Sequence, residues 1–315
     1  MDEQTVTSLA HDRDERMPSP EMQTIIDFLK RRRVIRASSP PRPLAVSRDS
    51  FAPVGQLRPL SDDIAVDILD ADGVPAYWLT APEAATSSNV LFYLHGGGYY
   101  LGSLRSHGPL VAHIGRATGR RVLFPEYRLT PEHSFPAAFD DTLAAWRWLV
   151  TLGCIDPGKV LLAGDSVGAA LALALLHTLR DAGEPLPAAT LLISPLLDLT
   201  ASGASMTTRA EQDPVFTREA VISLGATYLN GADARSPTAS PLFASQAGLS
   251  PLLIQVGGAE VLLSDSERLA EAAANVGVDV TLHVAEGLPH VYHGALEAPE
   301  TAEAIKQIVE FARRF

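Results

Sequence analysis

The stretch Val160-Leu161-Leu162-Ala163-Gly164-Asp165-Ser166-Val167-Gly168-Ala169-Ala170-Leu171-Ala172-Leu173 decides how the rest of this chain is read. Its first four residues suit a buried strand, and the apolar run behind Gly168 suits a helix. Between them lies the pattern G-x-S-x-G. A serine on a tight strand-to-helix turn must take a strained backbone so that its hydroxyl projects outward, and the flanking glycines leave room for neighbouring backbone. The turn also sets Ser166 at a helix N-terminus, where amides and the dipole favour developing negative charge. The pentapeptide alone is a weak signal, because a glycine-lined loop that merely packs a helix on a strand reads the same way. The strand–turn–helix context makes it a nucleophile elbow.

Upstream, His95-Gly96-Gly97-Gly98 follows the apolar run Val90–Leu94 directly. Successive glycines let backbone amides approach a ligand, and with the amide of Val167 they would form an oxyanion hole. The segment does not satisfy G-x-G-x-x-G and opens no helix, which argues against a dinucleotide site.

A serine nucleophile needs a general base held by a carboxylate, in the chain order Ser, acid, His for this kind of fold. Four histidines follow Ser166. His177 lies three turns down the helix and His283 falls inside a predicted strand. His290 lies past that strand's carboxyl end, where catalytic groups gather in open α/β sheets, and is the expected base, with His293 as the alternative. The spacing His290-x-x-His293 also raises a metal reading, but no companion ligand pattern accompanies it, so neither metal nor organic cofactor is expected. For the acid, the loop after Leu252–Val256 offers Glu260 and Asp265. Ser264-Asp265-Ser266-Glu267 reads as a capping box, which gives Asp265 a structural reason to exist. Glu260 has none and lies nearer the strand end. It is preferred, with Asp265 as second choice.

Working outward, short apolar runs alternate with helical patterns. Strands are expected at Val90–Leu94, Val122–Phe124, Val160–Ala163, Thr190–Ile193, Leu252–Val256 and Val280–Val284. Helices are expected near 107–117, 136–151, 167–181, 264–275 and 300–314. Alternation of this kind implies a mainly parallel sheet covered on both faces, an α/β fold. A hairpin precedes it: Ile64, Val66 and Ile68, then the turn Asp70-Ala71-Asp72-Gly73, then Val74, Ala76 and Trp78. Further upstream, Pro20 after a Ser19 cap, with Met22, Ile25, Ile26 and Leu29 on one face, predicts a helix ending in Lys30-Arg31-Arg32-Arg33. Residues 1–20 read as a loosely docked end, and residues 39–60, with five prolines, as irregular linker.

The chain has 315 residues, 46% of them hydrophobic and 20% charged, which fits a folded domain with a substantial core. Its net charge of −12 disfavours a nucleic-acid partner. Residues 1–50 carry nine basic and eight acidic side chains, so the acidity belongs to the body. The longest apolar run, Val167–Leu176, falls short of the ~18–20 residues of a membrane span. The start, Met1-Asp2-Glu3-Gln4, has no apolar signal core behind it. One cysteine, Cys154, excludes an internal disulfide and fits a reducing compartment, the cytoplasm.

With these motifs in hand the chain resembles the hormone-sensitive-lipase-like family of α/β-hydrolase esterases, in its bacterial or archaeal form. The resemblance rests on His95–Gly98, Pro125–Glu132, Gly164–Gly168, Ser194–Leu199, Gly257–Leu263 and Gly287–His290. It implies an eight-stranded, mainly parallel α/β-hydrolase sheet and a small helical cap. The cap would be built from residues 1–50 and an insertion at about 200–240, with residues 51–315 as the catalytic domain. It also implies Ser166 as nucleophile, His290 as base, and Gly97, Gly98 and Val167 as oxyanion donors. Departures are Val167 and Ala169 where the family has Ala and Gly, Glu260 where Asp is commoner, and Tyr99, expected to line the pocket. Glu126 and Arg128 are expected to form a supporting network beneath the oxyanion loop, and Asp165 to support the elbow. The expected activity is hydrolysis of short-to-medium acyl esters, with a small-molecule partner and a homodimer compatible with the resemblance. The same site chemistry would serve an amide, carbamate or lactone. A non-catalytic binding protein of the same fold is the rival class, and His290 argues against it.

Overall fold

The computed structural model describes residues 10–14, 17–40, 42–54 and 58–315. The sheet is built from β1 (Ala10–Asp14), β2 (Ala65–Asp70), β3 (Pro75–Thr80), β4 (Val90–Leu94), β5 (Arg121–Pro125), β6 (Val160–Asp165), β7 (Ala189–Ile193), β8 (Leu252–Gly257) and β9 (Val280–Ala285). The helices are α1 (Pro20–Ser38), α2 (Leu44–Asp49), α3 (Leu104–Thr118), α4 (Ala137–Val150), α5 (Val167–Ala182), α6 (Ser205–Thr208), α7 (Arg218–Leu229), α8 (Leu263–Asn275) and α9 (Pro299–Ala312). The expected six strands and five helices of the αβ alternation are all present, within three residues at each end.

Strand order is β1-β9-β8-β7-β6-β4-β5-β3-β2, parallel throughout except for the pairs β2–β3 and β3–β5. The eight strands implied by the resemblance are joined by a ninth. Ala10–Asp14 pairs with Thr281–Ala285 of β9 at the sheet edge. That corrects one expectation: part of the N-terminal end, read as loosely docked, is strand. Residues 1–9, read as part of a loose end, lie outside the described residues. The proline-rich linker likewise holds a short helix, α2, which runs straight on from Pro43.

Both faces are covered. Phe92, Leu162, Leu192 and Ile254 pack against α4, α5 and α8, with Trp146 meeting Phe92 edge-on at 5.9 Å. Leu91, Tyr93, Leu161 and Leu253 pack against α3 and α9 on the other face. Continuous apolar strands follow from this two-sided burial, since no face is left for polar residues. The edge strand β2 departs from this, with Ile68 80% exposed.

One feature of the topology positions the site. Connections from β4 run to β5 on one side, and from β5 back across to β6 on the other. The carboxyl ends of β4 and β6 are therefore neighbours at a switch point, with Leu94 opposite Gly164. Crevices at such points are where ligands bind in open α/β sheets.

Candidate active site

Ser166 occupies the turn between β6 and α5 with φ 56° and ψ −120°, a region that side chains avoid. Two contacts hold it there. Its amide donates to the Ile193 carbonyl (2.9 Å), and its own carbonyl accepts from the Leu196 amide (3.2 Å). The glycines are needed for closeness: a Cβ at Gly168 would collide with the carbonyl oxygens of Leu94 and His95. Val167 opens α5, and the first amides of a helix have no intrahelical acceptor.

The loop after β4 lies against this elbow. Gly97 and Gly98 take φ of 112° and 66°. Asp165 is the tie between the two loops: its Oδ1 accepts from the Gly96 amide (3.0 Å) and the Tyr93 hydroxyl (2.9 Å). Burial pushes the Asp165 carboxyl up, but His107, Tyr93 and Gly96 outweigh it and hold the group below its ordinary value. The expected support of the elbow by Asp165 is thus visible as hydrogen bonds. Tyr99 is 1% exposed and stacked flat on Tyr228 of α7 at 3.6 Å, which fixes the loop to α7. Glu126 accepts from the Leu104 amide (2.7 Å) at the start of α3, directly behind the loop. Arg128 does not join it. Its guanidinium grips Asp141 of α4 (2.7 Å), which anchors the following segment elsewhere.

Glu260 and His290 meet. Nδ1 of His290 lies 2.7 Å from Oε2 of Glu260, and both groups are buried. A carboxylate only accepts, so Nδ1 carries the proton and Nε2 is left as the basic nitrogen. Oε1 of Glu260 accepts from the Gly257 amide (2.7 Å) and the Ser194 hydroxyl (2.6 Å). Burial depresses the His290 pKa, yet the charge and hydrogen bond of Glu260, with Asp213 and Asp165 further off, prevail and raise it. The ring of Phe216 stands edge-on to His290 at 4.9 Å.

The other candidates are accounted for. His293 Nε2 bonds Gln255 Oε1 (3.0 Å), and burial pushes its pKa down to about 3, so it stays neutral in the core. His177 pairs with Gln246. Asp265 faces the backbone beyond β7, accepting from the amides of Leu197 (2.8 Å) and Asp198 (3.1 Å). The capping box expected at Ser264 does not form. Helix α8 begins one residue earlier, at Leu263, without a side-chain cap, and Ser264 instead exchanges hydrogen bonds with Ser205 of α6.

Asp265 carries its own prediction. It is fully buried, Oδ1 lacks a hydrogen-bond partner among the described residues, and burial pushes its pKa up to about 7. In the unfolded chain it ionises near 4. The folded state therefore holds its proton longer, and stability falls as pH rises from about 4 to about 7. Asp265→Asn removes this dependence. Its Tm relative to wild type is expected to rise by on the order of 5 °C between pH 5 and pH 8, with turnover retained. Parallel melting curves for the two proteins would count against this account.

Three groups escaped sequence reading. Ser194, beyond β7, was visible only as part of a motif. Asp213 accepts from the amides of Val215, Phe216 and Val261. Arg33 of α1 reaches the carbonyls of Ala210 and Asp213. Nothing local in the sequence marks these contacts, which join residues up to 180 positions apart.

Comparison with known proteins agrees with the fold. Residues 91–294 match the family model described as alpha/beta hydrolase fold. An acetyl-hydrolase of Streptomyces hygroscopicus is 41% identical over 303 residues, covering 94% of this chain and 97% of that protein. An esterase of Acinetobacter venetianus is 36% identical over 231 residues, 72% of this chain and 76% of its own length. Among solved structures, an esterase from the bacterial hormone-sensitive lipase family superposes with a TM-score of 0.86 at 43% identity, covering 95% of this chain and 99% of that one.

Proposed function

The chain belongs to the α/β-hydrolase family as a carboxylic ester hydrolase of the bacterial hormone-sensitive-lipase type, and within it we propose a Ser166–His290–Glu260 triad acting on short-to-medium acyl esters. The observation that carries this reading is the buried 2.7 Å pair of Glu260 and His290, delivered by adjacent loops beyond β8 and β9.

In the proposed reaction Ser166 Oγ attacks the ester carbonyl while Nε2 of His290 takes its proton. Glu260, bound at Nδ1, orients the imidazole and stabilises the imidazolium. The oxyanion is received by the amides of Gly97, Gly98 and Val167. His290 then protonates the leaving alcohol, which departs and leaves the acyl group on Ser166. Water, deprotonated by His290, attacks the acyl-enzyme. The carboxylic acid leaves and Oγ regains its proton. These steps use only side chains and amides of this chain.

We also propose that α1, α6 and α7 form a cap over residues of the catalytic body. Support comes from Arg33 and Arg36 of α1, which hold the carbonyls of Ala210, Asp213 and Val215 in the insertion. Leu224 and Tyr228 of α7 press on Gly98 and Tyr99. Such close cover favours small acyl groups. The single cysteine, the exposed Cys154, supports a reducing compartment such as the cytoplasm.

The test is hydrolysis of p-nitrophenyl esters from acetate to dodecanoate, with peptide mapping after a fluorophosphonate. The expected result is greatest kcat/KM at two to six carbons, at least tenfold above the dodecanoate, and one adduct on Ser166. A preference for the longest chain would overturn the substrate class. An adduct elsewhere would overturn the nucleophile.

A further inference from the structure

The segment after β7 touches every part of the proposed triad. Ile193 and Leu196 hold the backbone of Ser166 from either side. Between them, Ser194 is fully buried with φ 44°, and its amide donates to the Gln255 carbonyl of β8 (2.7 Å). Its hydroxyl donates to Oε1 of Glu260 (2.6 Å) and accepts from the amide of Val291 (3.0 Å), the residue next to His290. One hydroxyl thus bonds the acid's side chain and the backbone of the base's neighbour at once.

A hydroxyl has one proton to give and lone pairs to receive with, so both contacts are satisfiable together. A backbone held in the left-handed region at a buried, non-glycine position persists only when its surroundings over-determine it. Here the amide and the hydroxyl supply that constraint. Glu260 also needs it. A glutamate has one more rotatable bond than an aspartate, and a carboxylate on a longer stem must be fixed at its second oxygen to keep the first on His290. Gly257 supplies one donor to Oε1 and Ser194 the other.

We propose that Ser194 is a positioning residue for ester hydrolysis, its hydroxyl locking the Glu260 carboxylate and the Val291 amide so that the His290 imidazole faces Ser166. This rests on the triad reading above. It adds a fourth side chain that never contacts substrate and acts through Glu260.

The experiment is a double-mutant cycle of Ser194→Ala and Glu260→Gln with p-nitrophenyl acetate. Ser194→Ala is expected to lower kcat about 10- to 100-fold with KM within about twofold. In the Glu260→Gln background the same change is expected to cost less than about threefold, because the carboxylate it serves is gone. Ser194→Gly, which accepts φ 44° freely, serves if the alanine variant does not fold, with the same outcome expected. A Ser194 variant that keeps at least half of wild-type kcat overturns the proposal, as does an equal loss in both backgrounds, the mark of a merely structural role. Full turnover in Glu260→Gln alone overturns the triad reading and the proposal with it, and is told apart from the other failures by that single variant.

Discussion

Ser166→Gly is expected to abolish turnover and to raise the melting temperature in the same protein. Loss of the nucleophile removes covalent catalysis, and comparable deletions in serine hydrolases cost on the order of a millionfold in kcat. Here kcat/KM for p-nitrophenyl acetate should fall by about 10,000-fold or more. The stability gain has a separate cause. At φ 56° and ψ −120°, Ser166 keeps its Cβ in a region where backbone strain costs about 1–3 kcal/mol. Glycine relieves it and gives back about 1 kcal/mol through its greater freedom when unfolded. A net gain of roughly 1 kcal/mol corresponds to about 2–4 °C. Ser166→Ala is the control: equal loss of activity with no gain in Tm, since alanine keeps the strained Cβ. The account fails if the two variants melt together.

Glycine spacing around Ser166 declares the elbow because the close approach of Gly168 to the Leu94 carbonyl admits no side chain. Apolar runs declare the strands because both sheet faces are covered. These are local constraints, written in adjacent residues. Pairings across the chain are not. β1 pairs with β9, some 270 residues away, and Ala10–Asp14 carries no strand pattern of its own. The capping-box pattern at Ser264 is a local signal that a distant partner, Ser205, overrides. Arg128 chose Asp141 over the oxyanion loop for the same kind of reason. Nearness to the strand end separates Glu260 from Asp265 as the expected acid, whereas Ser194 gives no local sign that its hydroxyl bridges two loops.

That separation leads to the second large effect, Glu260→Gln. The amide keeps the shape of the side chain but removes the charge, and its NH2 group can face Nδ1 and stabilise the wrong tautomer of His290. A loss of about 1,000- to 10,000-fold in kcat is expected. The pH profile carries the more specific signature. His290 must be neutral to accept the Ser166 proton, so activity is lost as pH falls through its pKa. In the wild type that pKa is raised, because the Glu260 charge and hydrogen bond, helped by Asp213 and Asp165, exceed the effect of burial. The acid limb of kcat/KM should therefore lie above the ordinary histidine value of about 6.5. Without the Glu260 charge, burial opposes only the more distant carboxylates, and the limb should move to lower pH. Residual activity of the variant, measured from pH 4.5 to 9, would then persist to lower pH than that of the wild type. An unmoved limb would show that His290 does not draw its basicity from Glu260. A deeper loss in Asp265→Asn than in Glu260→Gln would transfer the acid's role to Asp265, against its hydrogen bonds to Leu197 and Asp198.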